Sequence, residues 1–304
     1  AASRFGDLYR DTCAHLFRTY QESLEPLRAV VRRQYPRQPE ESDARWDGRI
    51  RSRYVDAARF LLPAAALANV GMTVNARALE HSLRKMLSHP LAEVRDIGQE
   101  ARQVARGEVP TLVKYADRAP YLAETQAALS ALAVGVGRGT YPYPDLPAQD
   151  APSNGEQVRL IHYDVAAEDR VLAAALYRFA ACDFERALAW VQAAAPDKRD
   201  ELARECLARL DKWDVPLREL EHATYTFDVS LDQGGYFEVK RHRMMTQTPQ
   251  QLTCELGYAT PRLIEEAGVR ARYAGAMERA AAAYGALAAL DRESAAYLAP
   301  NACY

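Results

Sequence analysis

The stretch Arg241-His-Arg-Met-Met-Thr-Gln-Thr-Pro-Gln-Gln-Leu-Thr253 holds the densest set of chemically capable side chains. Two guanidinium groups flank an imidazole, and hydroxyls and amides follow. Arginine stays charged at any working pH and offers planar, multidentate donors. Histidine can donate from either ring nitrogen, depending on tautomer. Such a group suits an anionic ligand. It equally suits structural ion pairs with residues such as Glu221 and Glu238. Other groupings offer less. His89 and Glu93 are four apart, but spacing places no third metal ligand. Cys254 has no adjacent base and reads as a packing thiol. The five cysteines form no CxxC pair, so neither a zinc knuckle nor a dithiol motif is readable. Gly135-x-Gly137-x-Gly139 runs into Tyr-Pro-Tyr-Pro, where no phosphate-binding helix can follow.

Mostly helices must carry these groups. Phe5 to Leu24 has helical spacing, and Pro36 to Asp47 reads as a loop. A second helix runs through Tyr54 to Pro63. A third starts near Val74, with Asn75 or Thr73 as its cap. Ala92–Val104 and Pro110–Ala116 are further helices. Residues 135–157 are rich in Gly and Pro and read as a linker. Beyond it, Val158–Tyr163 and Glu221–Val229 read as strands. Helices are expected at Glu168–Ala181, Phe184–Ala194 and Asp197–Leu210, with a helix end at Tyr236–Arg241. Leu263–Leu290 is a long Ala-rich helical stretch. The class is α+β, predominantly helical, with an antiparallel-type sheet flanked by helices.

The two ends repeat one another. Tyr9 and Tyr20 are eleven apart, as are Tyr273 and Tyr284. Asp56-Ala-Ala-Arg-Phe-Leu-Leu-Pro63 matches Glu293-Ser-Ala-Ala-Tyr-Leu-Ala-Pro300. The expectation is a window from a longer tandem duplication. Residues 1–134 would be the back half of one unit, 135–157 the linker, and 158–304 the front half of a second.

The Arg-His-Arg stretch resembles the signature of flavin-dependent thymidylate synthases. Glu221-His222-x-x-x-Thr226-Phe227 upstream is similar to that family's strand motif. Ala58-Arg59-x-x-Leu62-Pro63, followed by Asn75-Ala-Arg77-x-Leu79, resembles its two downstream motifs. Glu93-Val-Arg95 and Pro110–Tyr115 look like its C-terminal helices. The resemblance covers roughly residues 1–125 and 157–304. It implies reductive methylation of dUMP to dTMP with FAD, NADPH and methylenetetrahydrofolate. It also implies a homo-oligomer with sites built between subunits or repeats. Arg241, His242, Arg243 and His81 would then face FAD, and Asn75 and Arg77 would contact the flavin or hold the site together. Arg59 and Arg243 would lie near the nucleotide. No residue is assigned a catalytic role, and no metal is expected.

The chain departs from the family at its dUMP-holding positions. Gln251 stands where the family has serine, Thr253 and Met86 where it has arginine, and Pro249 where it has Glu. Glu238 replaces a Gln. Losing two charge-assisted contacts would cost about 3–6 kcal/mol, or roughly 10²–10⁴-fold in affinity. The expectation is a retained flavin-type site beside a degenerate dUMP site. The alternative is a non-catalytic flavin- or nucleotide-binding or scaffold paralogue.

Charge argues against a nucleic-acid partner. The formal net charge is -2, and the arginines between Arg28 and Arg53 are interleaved with Glu22, Glu25, Glu40, Glu41, Asp43 and Asp47. No apolar run reaches the roughly 18 residues of a membrane span. No signal peptide is readable, so a cytoplasmic location and small-molecule partners are expected.

Overall fold

A computed structural model describes residues 2–133 and 158–304. The expected linker, 135–157, lies outside the described residues. In chain order the elements are α1 (Ala2–Gln34), α2 (Asp43–Ala58), α3 (Ala76–Leu87), α4 (Ala92–Glu108) and α5 (Pro120–Ala133). Then come β1 (Val158–Tyr163), α6 (Ala167–Tyr177), α7 (Phe184–Ala193), α8 (Pro196–Leu207) and β2 (Tyr225–Val229). The last four are α9 (Gln233–Val239), α10 (Arg262–Glu266), α11 (Arg270–Ala288) and α12 (Arg292–Ala295). The α+β, mostly helical class holds. Contacts divide the chain into two compact units, Ala1–Ala151 with Leu231–Tyr304, and Pro152–Ser230.

Several boundaries differ from expectation for local reasons. α1 continues past Leu24 and through Pro26. Proline has no N–H for the Glu22 carbonyl, and the Arg272 guanidinium approaches that carbonyl instead, at 3.5 Å. The loop after α1 ends sooner than expected, because the Ser42 hydroxyl caps α2 by accepting from the Arg45 N–H. Pro110–Tyr115 forms turns rather than a helix. α5 has no counterpart in the expectations. The Ala-rich stretch breaks in two at Gly268, where φ is +69°. The Gly268 N–H donates to Glu265 O and the Val269 N–H to Ile264 O, with Val269 and Ile264 both buried. That is a Schellman stop, and it requires the left-handed glycine.

In the first unit α1 packs on α2 and α11. Leu16, Leu27, Ile50, Tyr54, Leu61, Ile264, Tyr273 and Met277 fill the core. Thr12, Leu16 and Thr19 of α1 are buried at the same spacing as Ala276, Ala280 and Ala283 of α11. The buried Thr12 and Thr19 hydroxyls return to carbonyls of their own helix, at 2.8 and 2.9 Å.

The repeat is visible as a paired structure. Each copy ends a helix in a 3₁₀ turn, Arg59–Leu61 and Ala296–Leu298. The following residues extend alike, Leu62 at φ -73°, ψ 126° and Ala299 at φ -66°, ψ 120°. Pro63 and Pro300 then face each other in an antiparallel bridge. The Ala64 N–H donates to Ala299 O at 2.9 Å, and the Asn301 N–H donates to Leu62 O at 3.0 Å. The Ala65 N–H donates to Tyr297 O at 2.8 Å, and the Ala302 N–H donates to Phe60 O at 3.1 Å. Each bond becomes its mate when the copies are exchanged. The pairing is isologous, like a two-fold dimer contact, but it lies within one chain.

The second unit holds the antiparallel pair β1–β2. α6 packs on α7 around Leu172, Ala173, Ala187 and Val191. Both faces of the two-stranded sheet are exposed. The second strand is shorter than expected. Glu221 and His222 sit in a 3₁₀ turn, Arg218–His222, and the strand begins at Tyr225.

Candidate functional site

The Arg-His-Arg segment follows the C-terminus of α9. Asp232 caps that helix by accepting from the Gly235 N–H at 2.8 Å. Its first turn is fastened to the repeat, since the Gln233 N–H donates to Cys303 O and the Gly234 N–H to Asn301 O. Gly234 comes close to Phe60; a Cβ there would meet the ring at 3.6 Å. Arg59 and the signature helix therefore both spring from the Pro63–Pro300 pairing. Gln247 fixes the loop after α9. Its amide donates to Val239 O at 3.2 Å and to His242 O at 2.9 Å. Sequence reading did not single out Gln247, although it lies inside the motif.

Several of the expected cofactor residues have local partners or exposed surroundings. Arg241 pairs with Glu238 at 3.1 Å, both exposed. His242 and Arg243 are exposed. Asn75 caps α3, its Oδ1 accepting from the Ala78 N–H at 2.9 Å. Arg77 and His81 lie one turn apart on that helix and are exposed. Arg59 pairs with Asp56 at 2.7 Å. No hydrogen bond or ion pair among the described residues joins Asn75–Arg77 to Arg241–Arg243.

The positions that depart from the family are better defined. A cleft of about 310 Å³ is lined by Ala64, His89, Leu91, Gln126, Gln251, Leu252, Arg292, Glu293, Ala296 and Tyr297. That is the low end of small-ligand pockets. It includes Gln251 and also Ala296, the repeat counterpart of Arg59. Its charges are already engaged. Arg292 donates to Glu255 at 2.8 Å, and Glu293 accepts from the Gln251 amide at 3.1 Å. The His89 Nδ1 accepts from the Leu91 N–H at 3.1 Å. The Tyr297 hydroxyl donates to Glu93. Burial and that carboxylate push the Tyr297 phenol up to about 12, so it stays a donor. Tyr297 was legible only as part of the repeat, and Arg292 and Gln126 carried no local signal.

Two of the other positions expected to be altered, Thr253 and Met86, are structural here. Thr253 is buried, its hydroxyl accepting from the Glu255 N–H at 3.0 Å. Met86 packs against Gly98, where an added Cβ would stand 2.8 Å from the Met86 Cβ. The arginines between Arg28 and Arg49 largely meet the carboxylates interleaved with them. Arg28 reaches Asp47 at 2.7 Å, Arg37 reaches Asp43 at 3.0 Å and Arg49 reaches Glu41 at 2.9 Å. In the second unit Arg218, Glu219, Glu221 and His222 border an open depression. Arg218 and Glu221 pair there at 3.1 Å. No helix among the described residues is long and apolar enough to cross a membrane.

The chain matches the family described as thymidylate synthase complementing protein over residues 2–111 and 159–304. It is 31% identical to a UPF0159 protein of Chlamydia muridarum over 303 residues, 99% of this chain and 56% of that relative. A UPF0159 protein of Chlamydia pneumoniae is 26% identical, again over 99% of this chain and 56% of the relative. One of Thermoplasma acidophilum is 26% identical over 91% of this chain and 58% of the relative. The chain thus spans little more than half the length of these relatives. No solved structure matches it. With two matched segments covering most of its residues, the chain belongs to the thymidylate synthase complementing protein family.

Proposed function

We propose that this chain is part of a flavin-dependent thymidylate synthase-like protein whose dUMP site is degenerate in the cleft at Gln251 and Ala296. Residues 1–134 are the back half of one unit and 158–304 the front half of a second. Reductive methylation of dUMP, with methylenetetrahydrofolate, NADPH and FAD, is the reaction of the intact ancestor.

The observation that carries this reading is the contrast between two surfaces. Arg243, His242, Arg77 and His81 present exposed cationic or donor groups. Their chemistry fits an anionic dinucleotide. FAD would be held between subunits or repeats, where it would supply the reducing equivalents that bring the transferred one-carbon unit to a methyl group. The Ala296 cleft offers a dianion the opposite environment. Its arginine is tied to Glu255 and its wall carries Glu293.

The test is the visible spectrum of the protein as purified, followed by a dTMP-forming assay. A yellow protein with weak or no dTMP formation is expected. A colourless protein that takes up no added FAD supports the scaffold alternative and overturns the flavin assignment. Turnover at a typical family rate that blocking the cleft abolishes overturns the degeneracy.

A further inference from the structure

Cys254 and Cys303 are 49 positions apart in the chain, yet their sulfurs stand 3.8 Å apart. Backbone bonds hold both segments. Tyr258 and Cys303 face each other in an antiparallel bridge. The Ala259 N–H donates to Ala302 O at 2.8 Å, and the Tyr304 N–H donates to Gly257 O at 3.2 Å. The chain turns between Cys254 and that bridge, with Gly257 at φ +84°. The residues beside Cys254 are also tied. Buried Thr253 accepts from the Glu255 N–H at 3.0 Å, and Glu255 accepts from Arg292 at 2.8 Å. Side-chain rotation is the motion that separates this sulfur contact from a covalent bond of about 2.0 Å.

The two thiols differ in access. Cys254 is half-buried and Cys303 is 4% exposed. The bond to Cys254, reinforced by burial, keeps the Cys303 thiol protonated. Thiolate is the form that attacks an oxidant. Cys254 is therefore the sulfur that a small oxidant meets first, and Cys303 is the thiol waiting behind it.

We propose that Cys254 and Cys303 are a peroxide-oxidised disulfide site, with Cys254 the attacked sulfur and Cys303 the resolving one. Cys254 loses its proton to solvent and attacks one peroxide oxygen. The O–O bond breaks, water leaves, and Cys254 becomes a sulfenic acid. The Cys303 sulfur then attacks the Cys254 sulfur. The S–O bond breaks, and the leaving oxygen takes the Cys303 proton and departs as a second water. Two thiols are oxidised to one disulfide and one peroxide is reduced to two waters. A dithiol reductant reverses the bond. Gln251 and Leu252 line the cleft beside Tyr297, so the bond clamps the segment that forms that wall. This chemistry needs no flavin and stands apart from the proposed reaction.

The test starts from the fully reduced protein treated with hydrogen peroxide. Peptide mapping should find one principal crosslink, between the Cys254 and Cys303 peptides, with the loss of two hydrogens from the intact mass. Amide exchange at 251–256 should slow and recover with dithiothreitol. Cys303→Ser should leave a sulfenic acid at Cys254 that dimedone traps, and Cys254→Ser should leave Cys303 a free thiol. Urea midpoints show whether each variant is folded, and Cys303→Ala replaces Cys303→Ser if the buried hydroxyl unfolds it. A principal crosslink through Cys13, Cys182 or Cys206, or no oxidation at either residue, overturns the proposal. So does a sulfinic acid at Cys254 with Cys303 still a thiol. Oxidation of Cys303 in a folded Cys254→Ser overturns the order of attack, and unchanged exchange at 251–256 overturns the clamp.

Discussion

Pro63 and Pro300 lie opposite each other in an antiparallel bridge that joins the two copies of one repeat. Neither proline can donate, so the residues after them supply the bonds. The Asn301 side chain adds a bond without a mate in the other copy, to Arg59 O. Asn301→Ala should cost about 0.5–1.5 kcal/mol, the value of one hydrogen bond. Urea unfolding measures it. Because Ala64 already occupies the equivalent place, the backbone pairing should survive.

Gly98 lets α4 approach the end of α3 at Met86. A methyl group at 98 would stand 2.8 Å from the Met86 Cβ, which no rotamer change relieves. Gly98→Ala should destabilise the protein by about 1–3 kcal/mol despite its better helix propensity. A gain in stability would mean that the two helices can part without cost.

Glu41 is buried beneath Arg49, which donates to it twice at 2.9 Å, while the Gln38 N–H donates at 3.0 Å. The Arg49 bonds, then the Gln38 bond, hold its carboxyl down to about 2, against an ordinary 4.5. A depressed carboxyl stabilises the fold above its unfolded value. That contribution is lost as pH falls through the folded one. Stability should therefore decline between about pH 4.5 and 2. Glu41→Gln should lower the melting temperature at pH 7 and flatten this decline. Matched acid titrations of both proteins, followed by circular dichroism, check it.

The Cys303 thiol donates to Cys254 Sγ at 3.8 Å and is almost wholly buried. That bond, reinforced by burial, pushes the Cys303 thiol far above its usual range. Thiolate is the reactive form. Mass-spectrometric mapping of iodoacetamide labelling at pH 8 should find Cys303 unmodified in the folded protein and modified in denaturant.

Gln247 clasps two carbonyls of the Arg241–Arg243 loop. Gln247→Ala should leave the unfolding midpoint nearly unchanged while the loop loosens. Faster amide exchange at 240–247, with no change in α11, is the expected signature.

Much of this was legible in the chain, because some choices are local. Asn75 announces the start of α3 by a side chain that satisfies a nearby N–H. Gly268, by contrast, went unread inside an Ala-rich helical pattern, since its left-handed stop also needs Ile264 and Val269 to be buried together. The strand expected from Glu221 failed at its first residues. There Arg218 and Glu221 prefer a local pair within a 3₁₀ turn. Alternation alone does not record that competition.

The candidate site divides the same way. Sequence by itself determined the family resemblance, the repeat, and the residue types at 241–243, 251 and 296. Only the tertiary structure decided that the repeats pair with each other and that Ala296 lines a cleft while Arg59 faces solvent. The same fold joins Tyr297 to Glu93 across 204 positions. Local propensity acts over a few residues. Which surfaces meet is settled by the burial of whole faces, and two segments 237 residues apart carry no local mark of their pairing.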